Sequence, residues 1–187
     1  DPFTPYDCSL VTDGAAFAVL AAEDVLTKGE LNRAVRIIGS GQASDVLRLR
    51  KKEAFTSFKS TKLAASLSYG MAGITAEDVD FAEVHDCFTI TQIINTEDLG
   101  FFEPGKGGDA VEEGVTALRG RLPINPSGGL KAKGHPIGAT GIGQIFEAVT
   151  QLRGEAGERQ LAKADIALTH NLGGAAAACL VHIFKGR

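Results

Sequence analysis

Three stretches of the chain hold the residue types that chemistry requires. The run from Asn125 to Gly143 reads Asn-Pro-Ser-Gly-Gly-Leu-Lys-Ala-Lys-Gly-His-Pro-Ile-Gly-Ala-Thr-Gly-Ile-Gly and sets one histidine, His135, between Gly134 and Pro136. Glycine permits backbone conformations closed to other residues, and proline stiffens the backbone around it, so the spacing predicts His135 on a loop. The segment after it predicts a helix whose first N–H groups favour a developing anion. An imidazole so placed has the chemistry of a base near neutral pH, although a tight turn carrying a surface histidine accounts for the same residues.

The second stretch is His85-Asp86-Cys87. A thiol at a helix start can have its pKa lowered by the helix dipole and cationic neighbours, which would let it take and give protons near neutrality. A cysteine after a strand is also commonly a small buried apolar residue. The third is Asn171-Leu172-Gly173-Gly174 and the alanines after it. Paired glycines suit a tight hairpin, and they also let backbone N–H groups face a carbonyl oxygen, as an oxyanion hole requires. His170, His182, Cys8 and Cys179 sit in or beside apolar strand patterns and read as structural.

Two other chemistries fail on context. Gly138-Ala139-Thr140-Gly141-Ile142-Gly143 superficially resembles a dinucleotide fingerprint. Its glycines do not directly follow a strand, and too little chain remains after them for a dinucleotide fold. His85 and Cys87 suggest metal ligands, but no cluster of structural-zinc spacing accompanies them, so no metal site is expected.

The elements that must position these residues follow from periodicity and punctuation. Strands are predicted at 34–39, 79–84, 122–125, 164–170 and 176–184. Helices are predicted at 60–72, ended by Gly70 and Gly73, from about Phe88 to Leu99, and to about Arg153. The apolar run 14–22 fits either a buried strand or a helix start. Residues 44–58 read as a surface connection, and 100–121, with six glycines, as a long exposed excursion. The order predicts an α/β fold with a mixed five-stranded sheet and helices on both faces. Ligands in such sheets bind outside the carboxyl ends of strands, where each of the three stretches falls.

The 187 residues are 44% hydrophobic and 22% charged, without tryptophan, a globular profile with enough chain for one ordinary domain. A net charge of -4 argues against nucleic acid as main partner. No apolar run approaches the roughly 20 residues of a membrane span. Three widely spaced cysteines give no disulfide framework and fit a cytoplasmic, reducing compartment. The chain opens on Asp1, with no secretory leader, and Asp1-Pro2-Phe3-Thr4-Pro5-Tyr6 reads as a connector, as expected of a fragment or one subunit of a split protein.

His85-Asp86-Cys87-Phe88, Asn125-Pro126-Ser127-Gly128-Gly129 through Gly134-His135-Pro136-Ile137-Gly138-Ala139-Thr140-Gly141, and Asn171-Leu172-Gly173-Gly174 occur in this order and together resemble the thiolase superfamily. The likeness is greatest to sterol-carrier-protein-type thiolases and archaeal acetyl-CoA acetyltransferases. Cys8 to Ala16 resembles the segment ending that family's N-terminal domain. The resemblance implies that residues 1–28 close a missing N-terminal domain and 29–187 form the C-terminal one. It implies a coenzyme A-dependent acyltransferase of lipid metabolism that cleaves or forms 3-ketoacyl-CoA through a cysteine acyl-enzyme, with the nucleophile on the N-terminal half. His135 then resembles the base, His85 an oxyanion donor shared with it, and Gly174 the backbone donor of a second hole beside Gly173 and Asn171. Gly134 and Pro136 would flank the substrate. Many thiolases carry a cysteine where Asn171 stands; in the sterol-carrier type the acid/base thiol corresponds instead to Cys87. The family further implies acyl-CoA and CoA as ligands, no bound cofactor, an N-terminal half in the same or a separate chain, and a homo-oligomer. A thiolase-like retro-aldolase and a non-catalytic acyl-CoA-binding or assembly subunit are the alternatives.

Overall fold

The computed structural model describes residues 3–186; Asp1 and Pro2 of the predicted connector, and Arg187, lie outside the described residues. In chain order the elements are α1 (Lys28–Leu31), β1 (Arg36–Ser44), α2 (Lys59–Ala72), β2 (Phe81–Val84), α3 (Thr89–Asp98), α4 (Gly107–Glu112), α5 (Gly129–Lys133), α6 (Thr140–Leu152), β3 (Ile166–Gly173) and β4 (Ala178–Lys185). The sheet runs β1-β4-β3-β2. Its β2–β3 pair is parallel and the other two pairs are antiparallel, so the sheet is mixed.

Alternation of side chains along each strand builds two cores. On β4, Cys179, Val181 and Ile183 face one side and pack with Ala64 and Ala65 of α2. Phe184 faces the other, with Phe81 of β2 and Ala148 of α6. Helices therefore cover both faces, as the sequence predicts. Close approach of α2 depends on β1 glycine: a Cβ at Gly41 would lie 2.0 Å from the Ala64 carbonyl oxygen. Gly73 ends α2 in the left-handed conformation, φ 67°, which glycine adopts without steric cost.

Three expectations change. Among the described residues the sheet has four strands, because the predicted strand 122–125 is reduced to one parallel bridge, Ala82 to Ile124. Pro123 and Pro126 have no N–H to extend a ladder, and Asn125 turns away at φ 56°. The Asn125 side chain replaces the lost strand, its Oδ1 accepting the Val84 N–H at 2.7 Å. The excursion 100–121 is anchored rather than exposed: it contains α4, the Gly107 N–H donates to Glu97 Oε1 at 2.9 Å, and Phe101 and Phe102 pack on the core. The run 14–22 is neither strand nor helix. Phe17 and Val19 are 88% and 96% exposed, and no described strand runs beside them to pair with the backbone.

Candidate active site

The site grows from the carboxyl ends of the parallel pair. Beyond Val84 the chain keeps pairing with β3, the His85 N–H donating to the His170 carbonyl at 3.0 Å. His85 is then fixed from below by buried groups. Its N–H also reaches His170 Nδ1 at 3.4 Å, and its carbonyl accepts from Asn95 Nδ2 at 3.1 Å. Since His170 Nδ1 is an acceptor, its Nε2–H donates to Thr61 Oγ1, 3.2 Å away. His170 is fully buried, and that burial pushes its pKa down to about 3. Its role is structural, as the sequence predicts.

His135 is set by contacts on both sides. Asp86, also buried, accepts the Leu130 N–H at 2.8 Å and so caps α5. Only glycine fits between them, for a Cβ at Gly129 would meet Asp86 Oδ2 at 2.1 Å. The His135 N–H donates to the Leu10 carbonyl at 2.7 Å, while the Ser9 N–H donates to the Cys87 carbonyl at 2.8 Å. One short extended segment therefore ties the Cys87 loop to the His135 loop. That tie is backbone to backbone and leaves no mark in residue type, so the sequence did not reveal it.

The two site histidines meet edge to face, with ring centroids 5.1 Å apart and an interplanar angle of 79°. Thr140 Oγ1 lies 2.7 Å from His135 Nδ1 and donates its own proton to the Pro136 carbonyl at 3.1 Å. With its proton committed, the hydroxyl accepts from Nδ1–H, leaving the His135 Nε2 lone pair free as a base. Thr140 was visible in the sequence only as part of the glycine-rich run. His85 Nδ1 lies 2.6 Å from Asn171 Oδ1. In this orientation Nδ1 carries the proton; turning the amide by 180° would let Nδ2 donate to Nδ1 and move the proton to Nε2. Burial lowers the pKa of both rings, that of His85 to about 4, with His135 adding to the effect and the Asn171 hydrogen bond opposing it. Both imidazoles are therefore neutral at pH 7.

The structure corrects the expectation for Cys87. Burial raises its thiol pKa, and the Asp86 charge adds to this against the opposing Thr91 hydrogen bond. Cys87 stands as a protonated thiol, able to give a proton rather than waiting as a thiolate.

His85, His135 and Asn171 are thus in direct contact, with Gly134 and Pro136 flanking His135. Cys87 is joined to them through Ser9 and Leu10. Gly173 ends β3, and Gly174 opens the hairpin three residues beyond Asn171. A cleft of about 340 Å³ adjoins the motif, lined by Thr12, Asp13, Gly14, Pro136 and Ile137 among others. A larger cavity of about 650 Å³, lined by residues including Val79, Asp80 and Arg121, lies at the amino end of β2, away from these groups. Among the described residues no group of three or more His, Cys, Asp or Glu side chains could hold a metal ion, and no helix is long and apolar enough to cross a membrane.

A mixed α/β domain with paired histidines at the carboxyl ends of its parallel strands defines a class of site rather than one protein. The sequence adds the family: residues 41–186 match the thiolase C-terminal domain-like family, and the chain belongs to it. It is 48% identical over 185 residues to an acetyl-CoA acetyltransferase of Methanothermobacter thermautotrophicus, covering 99% of this chain and 48% of that protein. It is 41% identical over 189 residues to sterol carrier protein 2 of Oryctolagus cuniculus, covering 99% of this chain and 34% of that protein. Among solved structures, a Ltp2-ChsH2(DUF35) aldolase chain superposes with a TM-score of 0.69 at 26% identity, over 79% of this chain and 39% of that one. The chain thus spans about half the length of the first relative and about a third of the second.

Proposed function

We propose that this chain is the C-terminal half of a thiolase-type acyl-CoA C-acetyltransferase, cytoplasmic and homo-oligomeric, whose nucleophilic cysteine lies on an N-terminal half. On this reading residues 1–28 close the N-terminal domain, and 3-ketoacyl-CoA and CoA are the substrates. The observation that carries it is the edge-to-face pair of neutral histidines, with Thr140 leaving His135 Nε2 unprotonated.

The reaction then begins at His135 Nε2, which takes the proton of the nucleophilic thiol. The thiolate sulfur attacks the keto carbon while the Gly174 N–H stabilises the oxyanion. Collapse breaks the carbon–carbon bond and leaves an acyl-enzyme and the enolate of acetyl-CoA. Protonated His135 donates to the enolate oxygen from Nε2–H. His85 joins it when Asn171 donates to Nδ1. The Cys87 thiol, kept protonated by its surroundings, gives its proton to the enolate carbon. Cys87 then recovers a proton from incoming CoA, whose thiolate attacks the acyl-enzyme carbonyl. The bond from the acyl carbon to the enzyme sulfur breaks, acyl-CoA leaves, and protonated His135 returns its proton to the released nucleophile thiolate.

Made in the full-length protein, Cys87→Ala slows thiolysis by about 10²–10⁴-fold, the usual loss for a general acid/base. It leaves acyl-enzyme formation from a simple activated thioester less affected. His135→Ala suppresses both steps. The 187-residue chain alone forms no acyl-enzyme, and stable acylation of it at Cys8, Cys87 or Cys179, located by mass spectrometry, overturns this division of labour. The aldolase likeness favours one second reading, retro-aldol cleavage of a CoA thioester. Release of an aldehyde or ketone by a full-length protein that never becomes acylated would select it.

A further inference from the structure

The turn between β3 and β4 is in an unfavourable conformation. Gly174, Ala175 and Ala176 are left-handed in succession, with φ of 52°, 52° and 58°, and two of them carry the Cβ that disfavours this region. The turn closes through the Ala177 N–H, which donates to the Gly173 carbonyl at 3.0 Å and the Gly174 carbonyl at 2.9 Å. A backbone of this kind persists only where its surroundings over-determine it. Those surroundings are two donors from the segment that leaves β1, Asp45 and Lys52, and one from the first turn of α2, Ser60. The Asp45 N–H donates to the Ala177 carbonyl at 2.8 Å. The Ala176 carbonyl receives Ser60 Oγ at 2.8 Å and Lys52 Nζ at 3.3 Å.

Lys52 is the unusual member. Its side chain is 3% exposed, and its ammonium is balanced by Asp45 Oδ2 at 3.0 Å. A buried lysine carries a desolvation cost that a surface tether would not. Here it spans from the end of β1 to the turn and holds the carbonyl side of a backbone whose amide side opens with the Gly174 N–H.

We propose that Lys52, with Ser60, is a positioning residue that locks the left-handed 174–177 turn and thereby aims the Gly174 N–H at the oxyanion formed during acylation. The role rests on the acyltransferase reading given above. It touches no reacting atom, and it serves the acylation step while leaving enolate chemistry at His85 and His135 untouched.

The test uses the full-length protein with Lys52→Met, Ser60→Ala and Lys52→Arg, the last keeping a cationic donor. Lys52→Met should lower the rate of acyl-enzyme formation about 10–100-fold, as for loss of an orienting partner, with KM changed less than about twofold. Ser60→Ala should do the same more weakly, and Lys52→Arg should recover part of the rate. Exchange of the acetyl-CoA α-protons into heavy water should stay at the unaltered protein's rate, while hydrogen exchange of the 174–177 amides accelerates. If Lys52→Met does not fold, Ser60→Ala decides through the same readouts. Unchanged acylation in the folded variants overturns the proposal, as does a parallel fall of acylation and α-proton exchange, which marks a general structural role. Failure of the unaltered protein to form any acyl-enzyme is a different result: it removes the acyltransferase reading and this role with it.

Discussion

Asn171 shows how one amide can decide what a histidine does. It holds His85 Nδ1 at 2.6 Å, and the ring's pKa is near 4 because burial outweighs that hydrogen bond. A carboxylate in the same place would favour the imidazolium, since an opposite charge at contact raises a histidine pKa. Asn171→Asp is therefore expected to lift His85 by about 1–3 units, read by NMR titration of the ring. A ring still titrating near 4 would show that the side chain at 171 does not face Nδ1 in solution. In the sequence this residue read as part of the second oxyanion hole, beside Gly173 and Gly174; its contact with His85, 86 positions away, was not legible there.

Glycines in adjacent elements have opposite consequences, which the fold explains. Gly41 lies where α2 crosses β1, and an added Cβ would sit 2.0 Å from the Ala64 carbonyl, whereas Gly70, inside α2, has nothing within 4 Å. Gly41→Ala is expected to cost about 1–3 kcal/mol, as overpacking does. Gly70→Ala should gain roughly 0.5–1 kcal/mol by removing glycine's entropy from a helix interior. Urea unfolding midpoints of the two variants check this, and two shifts of the same sign would contradict the packing of α2 on β1. In the sequence Gly70 and Gly73 both read as helix terminators; in the structure Gly73 alone takes that part, because it reaches the left-handed cap, while Gly70 stays inside α2.

Across the whole molecule, two buried histidines make folding sensitive to acid. The pKa values of His170 and His85 fall from the unfolded value of 6.5 to about 3 and about 4. Above pH 6.5 both states are neutral and neither ring affects stability. Below it the unfolded chain binds protons that the folded chain refuses, so stability falls as pH drops towards 4, by up to about 1.4 kcal/mol per unit for each ring. Buried Glu83 and Asp86, whose pKa values are raised, act in the opposite sense as the pH nears the carboxylate range, so the histidine slope is cleanest just below 6.5. Denaturant unfolding between pH 7 and 5 should show this slope, and His170→Gln should reduce it by about one proton's worth.

The α/β alternation, the helices on both faces of a mixed sheet, and the placing of the His85 and Asn171 stretches at strand ends were legible in the chain before folding. These are set by local periodicity and by glycine and proline, whose conformational limits act within a few residues. Folding in three dimensions was needed to make 122–125 yield its place in the sheet to the Asn125 side chain, to keep Cys87 a protonated thiol, and to bring His85, His135 and Asn171 into contact. Each of these depends on what lies opposite a residue in space. Desolvation and a hydrogen-bond partner dozens of residues away have no period and no local composition, so only the folded chain could express them.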